Sequence, residues 1–242
     1  MFHYRNIKIN YFFINNNSFK TLVFLHGWGQ NIEMMQPIAK PFYEAYNVLI
    51  IDLPGFGKSN EPKEVWSLQD YAEMIHALVC SLELNDVSLI GHSFGGKISI
   101  IYASIYDVSQ LILIASPYKV AKKKISFKVK VLKVMAKVPL FRNWALKTKQ
   151  KMGSVDYRNA TPKMRDILVK HVNTDTTENL KKIKAPTIIL WGTNDSAVGI
   201  ENAYEIESFI KDAAVIPFIG RTHYVYLEEL NRTVEIIKSF IR

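Results

Sequence analysis

Six consecutive residues, Gly91-His92-Ser93-Phe94-Gly95-Gly96, carry the clearest chemical signal in the 242-residue chain. They lie between two apolar runs, Val87 to Ile90 and Ile98 to Ile105. A serine hydroxyl is presented as a nucleophile when a sharp strand-to-helix turn lifts it above a sheet edge. That turn tolerates only small residues two positions before and two after the serine. Gly91 and Gly95 meet the demand. The turn also places the Phe94 N–H at a helix N-terminus, where partial positive charge favours an oxyanion. A phosphate-loop reading of Gly91, Gly96 and Lys97 is one residue short of the required spacing. It also needs a metal-binding hydroxyl where Ile98 stands, and the acidic strand end at Val48 to Asp52 precedes the loop instead of following it.

A nucleophilic serine needs a base, and the base needs an acid to orient it. Of six histidines, His223 lies just past a strand candidate, in Gly220-Arg221-Thr222-His223, and opens the final helix. His26 also ends a strand, but its sequel Gly27-Trp28-Gly29 suits a turn that offers backbone N–H groups, so its part is structural. His92 sits inside the elbow with its ring expected to point away from Ser93. His3, His76 and His171 have ordinary surface or helix-face readings, and no pair has metal-ligand spacing. For the acid, Asp195 follows the strand Thr187 to Trp191, giving the chain order Ser93, Asp195, His223. Asp52 is the rival, although Leu53-Pro54-Gly55-Phe56-Gly57 makes it look like a turn-fixing carboxylate. The strand ending at Ala115 is followed by Ser116-Pro117 and offers no carboxylate.

The elements that must hold these residues can be phased. Leu22 to Leu25, Val48 to Ile51, Val87 to Ile90, Leu111 to Ala115, Thr187 to Trp191 and Ala214 to Ile219 are short, β-branched-rich runs separated by amphipathic stretches. That is the pattern of a mostly parallel α/β sheet. Leu68, Tyr71, Ala72, Ile75, Leu78, Val79 and Leu82 fall on one helical face with Ser67 as N-cap. Leu227, Leu230, Val234 and Ile237 mark a last helix packed on the same sheet. Asn15 to Ser18 is a turn between two N-terminal strands. Lys119 to Lys181 shows no strand pattern, and helical phasing at Phe127, Val131, Val134, Met135 and Val138 makes it a helical insertion between two strands.

Charge is concentrated in that insertion. Residues 117 to 180 carry 16 Lys and Arg against 4 Asp and Glu, net +12, within a chain whose overall charge is +9. Lys130, Lys133 and Lys137 sit at helical spacing beside the apolar stripe. They are either a solvated face or a field that steers an anionic substrate or an acidic acyl-carrier protein. Lysines mixed with Phe127, Leu140, Phe141 and Trp144 give slight support to an anionic membrane surface; membrane contact is not the expectation. The lone Cys80 closes no intrachain disulfide, and neither a signal peptide nor an apolar run of about 20 residues is present, so a soluble, cytoplasmic protein is expected.

His26-Gly27-Trp28-Gly29, Asp52-Leu53-Pro54-Gly55-Phe56-Gly57-Lys58-Ser59, Gly91 to Gly96, Trp191-Gly192-Thr193-Asn194-Asp195 and His223 together resemble the α/β-hydrolase superfamily. More narrowly they resemble its small, lidded bacterial branch of carboxylesterases, C–C bond hydrolases and pimeloyl-carrier-protein methyl ester esterases. The likeness runs from about residue 20 to the C-terminus, with the helical segment unmatched. It implies an α/β-hydrolase fold over residues 1–242 as a single domain, with 117–180 as a helical lid. It further implies Ser93 as nucleophile, His223 as base and then acid, Asp195 as orienter, and the Trp28 and Phe94 backbone N–H groups as oxyanion hole. Arg221-Thr222 and Ser196-Ala197-Val198 depart from the family, which usually has a small residue before the histidine and often a proline after the acid. The implied activity is hydrolysis of a small-molecule or carrier-bound carboxylic ester or thioester through an acyl-enzyme, with no cofactor, metal or nucleic acid. The alternatives are a non-catalytic receptor or scaffold on this fold and a C–C bond hydrolase on the same triad.

Overall fold

The computed structural model describes residues 2–120 and 154–241. Its strands are β1 (Phe2–Tyr4), β2 (Ile7–Ile9), β3 (Tyr11–Ile14), β4 (Thr21–Leu25), β5 (Asn47–Ile51), β6 (Val87–His92), β7 (Gln110–Ile114), β8 (Thr187–Gly192) and β9 (Ala213–Phe218). β1 and β2 pair as a separate antiparallel hairpin. The other seven form one sheet in the order β3-β5-β4-β6-β7-β8-β9, parallel except that β3 runs antiparallel to β5. The turn at Asn15 to Ser18 therefore joins β3 and β4, strands that β5 separates.

The helices are α1 (Ile32–Ala39), α2 (Leu68–Ser81), α3 (Phe94–Ala103), α4 (Val155–Asn159), α5 (Pro162–Val172), α6 (Thr177–Leu180), α7 (Glu201–Phe209), α8 (Val225–Glu228) and α9 (Leu230–Phe240). Side chains alternate across a strand, so each strand feeds two cores. Val23, Leu25, Leu89, Leu111, Leu113, Ile189 and Trp191 face the core that α2, α3, α5 and α7 cover. Leu22, Phe24, Ile90, Ile112, Ile114, Ile188 and Leu190 face the core under α1, α8 and α9. Each such side chain, fully buried, stabilises the fold by about 1.5–3 kcal/mol. These central strands are apolar on both faces, which is why their sequence reads as continuous runs instead of alternation.

Local chemistry sets the helix ends. Ser67 and Asp70 form a capping box at the start of α2, with Asp70 N–H donating to Ser67 Oγ at 3.2 Å and Ser67 N–H to Asp70 Oδ2 at 2.7 Å. Arg5, in the β1–β2 turn, reaches Asp70 at 2.5 Å and Glu73 at 2.9 Å, tying the hairpin to that helix. The last amphipathic stretch, expected as one helix, is broken at Glu229, whose φ of −128° and ψ of 51° leave the helical region. Val234 and Ile237 are buried as the phasing requires. Between β7 and β8 the described residues hold α4, α5 and α6 and no strand. The expected helix at Phe127 to Val138, and with it Lys130, Lys133 and Lys137, lies outside the described residues. Among the described residues no helix is long and apolar enough to cross a membrane.

The strand order locates the crevice. From β4 the chain moves to β5 on one side, then returns across β4 to β6 and continues outward through β9. The connections leave β4 and β6 in opposite directions, and ligands of open α/β sheets bind beyond the carboxyl ends of such a pair. Trp28 follows β4 and Ser93 follows β6, so both stand at this switch point.

Candidate active site

Ser93 occupies a strained backbone conformation, φ 50° and ψ −108°, at the junction of β6 and α3. A non-glycine residue there costs on the order of 1–3 kcal/mol and persists only where its surroundings impose it. Here they do: Ser93 N–H donates to Ile114 O of β7 at 2.9 Å, and Gly95 N–H donates to His26 O at 3.1 Å. The neighbouring glycines are sterically required. A Cβ on Gly91 would lie 2.6 Å from Gly96 Cα, and one on Gly95 would lie 2.7 Å from His26 O. α3 is buried on every side, so the elbow rests on a helix packed into the core.

The loop after β4 supplies the second wall. His26 is fully buried, and its Nε2 accepts the Leu53 N–H at 3.0 Å, so its Nδ1 carries the proton and donates to Gly27 O at 2.7 Å. Burial pushes this imidazole down to about 4, and it stays neutral as a backbone brace. The Gln30 side chain closes the turn by accepting the Gly27 N–H at 2.8 Å. Trp28 packs edge-on to Phe94, ring centroids 5.2 Å apart, so the turn after β4 lies against the elbow. Among the described residues neither the Trp28 nor the Phe94 N–H donates a hydrogen bond.

On the far side, His223 Nδ1 lies 2.6 Å from Asp195 Oδ2. A carboxylate only accepts, so Nδ1 carries the proton and Nε2 is left as the basic nitrogen. The Asp195 side chain is fully buried, and its other oxygen accepts the N–H groups of Ala197 and Val198 at 2.8 and 2.9 Å. A proline at either of those two positions would remove one of these donors. The other departure, Arg221-Thr222, has its own supports. Thr222 donates from N–H to Glu228 at 2.8 Å and from its hydroxyl to the same carboxylate, and Arg221 pairs with Glu229 at 2.7 Å. Asn194 N–H donates to Arg221 O at 2.8 Å, joining the Asp195 and His223 loops.

Asp52, the rival acid, is spent on one side-chain amide and two backbone N–H groups. It accepts from Asn10 Nδ2 at 2.7 Å, Ile32 N–H at 2.8 Å and Lys58 N–H at 2.8 Å. Two further residues were not anticipated. His171, read from the sequence as a surface or helix-face histidine, is buried, stacked on Trp28 with an interplanar angle of 5° and set edge-on to Phe94 at 4.6 Å. The one signal in the sequence for its burial is that it continues the stripe Met164, Ile167, Leu168 by one helical turn. Lys97 is buried in the nucleophile helix and donates to His171 O at 3.1 Å and Thr174 O at 2.7 Å, anchoring the end of α5. Desolvation lowers its ammonium to about 8.

A family model described as alpha/beta hydrolase fold matches residues 20–143. The AB hydrolase superfamily protein YisY of Bacillus subtilis is 27% identical over 91% of both chains. A pimeloyl-[acyl-carrier protein] methyl ester esterase of Pseudoalteromonas atlantica is 41% identical over 41% of this chain and 38% of its own. Among solved structures, an esterase from Exiguobacterium antarcticum superposes with a TM-score of 0.76, 23% identical over 98% of this chain and 96% of its own, a likeness of fold.

The strain at Ser93 is measurable. Glycine accepts φ 50° without the Cβ penalty, so Ser93→Gly should melt above Ser93→Ala, which keeps the strain. Relief of about 1–3 kcal/mol exceeds the roughly 0.4–1 kcal/mol that glycine adds to unfolded-chain entropy. A net gain of about 1 kcal/mol is a rise of about 2–4 °C in Tm for a chain of this size. Thermal unfolding with Gly at or below Ala would mean that the elbow stores no strain.

Proposed function

The chain belongs to the α/β-hydrolase family, and from that premise we propose that it is a serine hydrolase cleaving a carboxylic ester or thioester through an acyl-enzyme on Ser93. The observation that carries this reading is the 2.6 Å contact between His223 Nδ1 and the buried Asp195, which frees Nε2 to act as base. Ser93 Oγ attacks the acyl carbon and its proton passes to His223 Nε2. The carbonyl oxygen becomes an oxyanion that the Trp28 and Phe94 N–H groups stabilise. On collapse the bond to the leaving oxygen or sulfur breaks, and that atom takes the proton from His223. Water, deprotonated by the same nitrogen, then attacks the acyl-enzyme, releasing a carboxylic acid and restoring the Ser93 hydroxyl. The scheme calls on no metal or organic cofactor.

The lid assignment for residues 117–180 rests on position between β7 and β8 and on charge. Its net +12 fits recognition of an anionic substrate, including an acyl group on an acidic carrier protein. The partial likeness to a carrier-protein ester esterase points the same way. The lone Cys80 suits a reducing, cytoplasmic setting.

Two experiments test these readings. With a chromogenic aryl ester, Ser93→Ala should lose roughly 10⁶ in kcat. Asp195→Asn should lose on the order of 10⁴ by leaving His223 in the wrong tautomer, whereas Asp52→Asn should mainly lower Tm. Activity surviving in Ser93→Ala overturns the reading, and exchanged phenotypes between the two Asp variants would make Asp52 the acid. For the lid, kcat/KM of an anionic ester should fall steeply between about 0.1 and 1 M salt, as the Debye length shrinks from about 10 to 3 Å, while a neutral ester holds. Lys130, Lys133 and Lys137 changed together to Gln should reproduce that loss at low salt. Equal responses of both esters would reduce those lysines to a solvated face.

A further inference from the structure

His92 stands between the proposed nucleophile and the proposed base, and the scheme above gives it nothing to do. It directly precedes Ser93 in the chain, and its ring is buried, with centroids 4.9 Å from the His223 ring and 4.8 Å from Tyr226. Its Nε2 lies 3.0 Å from the backbone oxygen of His223. A carbonyl oxygen only accepts, so Nε2 carries a proton and donates it across the crevice. Burial pushes this imidazole down to about 3, so it is neutral and has a single proton to give. On the other side, Nδ1 faces the Gln30 carboxamide oxygen at 3.2 Å, which already accepts the Gly27 N–H at 2.8 Å. Two acceptors flank one donor, and the shorter contact, to His223, takes the proton.

The consequence is geometric. His223 lies on a loop beyond β9, tied through Thr222 and Arg221 to α8 and to Glu229, and those supports locate the loop relative to its own helix. The hydrogen bond from His92 locates it relative to the elbow. We infer that His92 is a positioning residue: through its Nε2–H to the His223 carbonyl it sets the separation between the Ser93 hydroxyl and the His223 imidazole. The inference rests on the serine-hydrolase reading of the site. It also gives the elbow residue before Ser93 a role that its glycines do not explain, because a small residue would satisfy the turn equally well.

The two ring nitrogens can be tested separately, since a glutamine carboxamide reaches the position of Nε2 and an asparagine carboxamide that of Nδ1. His92→Gln keeps a donor toward His223. His92→Asn turns its donor toward Gln30 and loses the bond that matters, and His92→Phe has no donor at all while filling the space. With the aryl ester used for Ser93→Ala, His92→Asn and His92→Phe should lose about 10–100-fold in kcat with KM little changed, the scale expected for a misplacement near 1 Å. His92→Gln should stay within about fivefold of the native kcat, because its donor remains near hydrogen-bond range of the carbonyl. The downfield proton signal of His223 Nδ1–H in the NMR spectrum should stay sharp in His92→Gln and broaden in His92→Asn, which a general packing role would not distinguish. Rates are referred to the folded fraction, so His92→Asn against His92→Gln decides the matter even if His92→Phe does not fold. Equal kcat in the Asn and Gln variants, or native kcat in His92→Asn while Ser93→Ala is inactive, overturns the positioning role alone. Activity persisting in Ser93→Ala overturns the hydrolase reading and this role with it.

Discussion

The site depends on one backbone conformation, the positive φ at Ser93, and much of the surrounding structure can be read as what makes that conformation tolerable. The chain must leave β6 and enter α3 within a single residue, so the segments around it approach to distances that only Gly91, Gly95 and Gly96 permit. Flanking strands supply the restraint, with Ile114 of β7 and His26 beyond β4 each accepting an N–H from the elbow. A parallel sheet is what brings those groups to the same edge, since β4, β6, β7, β8 and β9 all end there. The strain is small beside the burial of α3 and of the apolar strands beneath it, so the fold carries it without loss of uniqueness.

Around the elbow, neutral histidines serve as braces. His26 holds the turn before Trp28, His92 reaches the carbonyl of His223, and His171 stacks on Trp28. Burial lowers each of them far below the range in which an imidazole ordinarily titrates. A neutral imidazole offers one donor and one acceptor in a rigid plane, and that suits it to link two backbone segments without introducing charge. His223 differs in having a buried carboxylate as its partner. Four similar side chains thus have different chemistry because their partners differ: carbonyls and amides for His26 and His92, aromatic rings for His171, a carboxylate for the proposed base. Lys97 extends the bracing to the end of α5, donating in the interior to the carbonyls of His171 and Thr174.

The sheet was legible from composition because its strands are buried on both faces and short enough to exclude helices. The elbow was legible because its steric demand fixes residue types at fixed spacing, and the Asp195 and His223 loops because each follows a strand. What the sequence concealed was pairing through space. Nothing in the string shows that Glu228 and Glu229 hold Thr222 and Arg221, or that Lys97 caps a helix some 70 residues away. His171 was hidden for another reason. A histidine on an apolar stripe resembles a surface residue until the stripe is extended through Met164, Ile167 and Leu168 to reach it. The β1–β2 hairpin escaped because its three-residue strands are too short for any period to register.

The central claim is that Ser93 forms a covalent bond to the acyl group, and trapping that bond tests it most directly. The native protein, treated with a fluorophosphonate and analysed by intact mass and peptide mapping, should gain one phosphonyl group per chain, on Ser93, in step with loss of ester hydrolysis. Hydrolysis that continues without an adduct, or an adduct mapped to any other residue, would contradict the account.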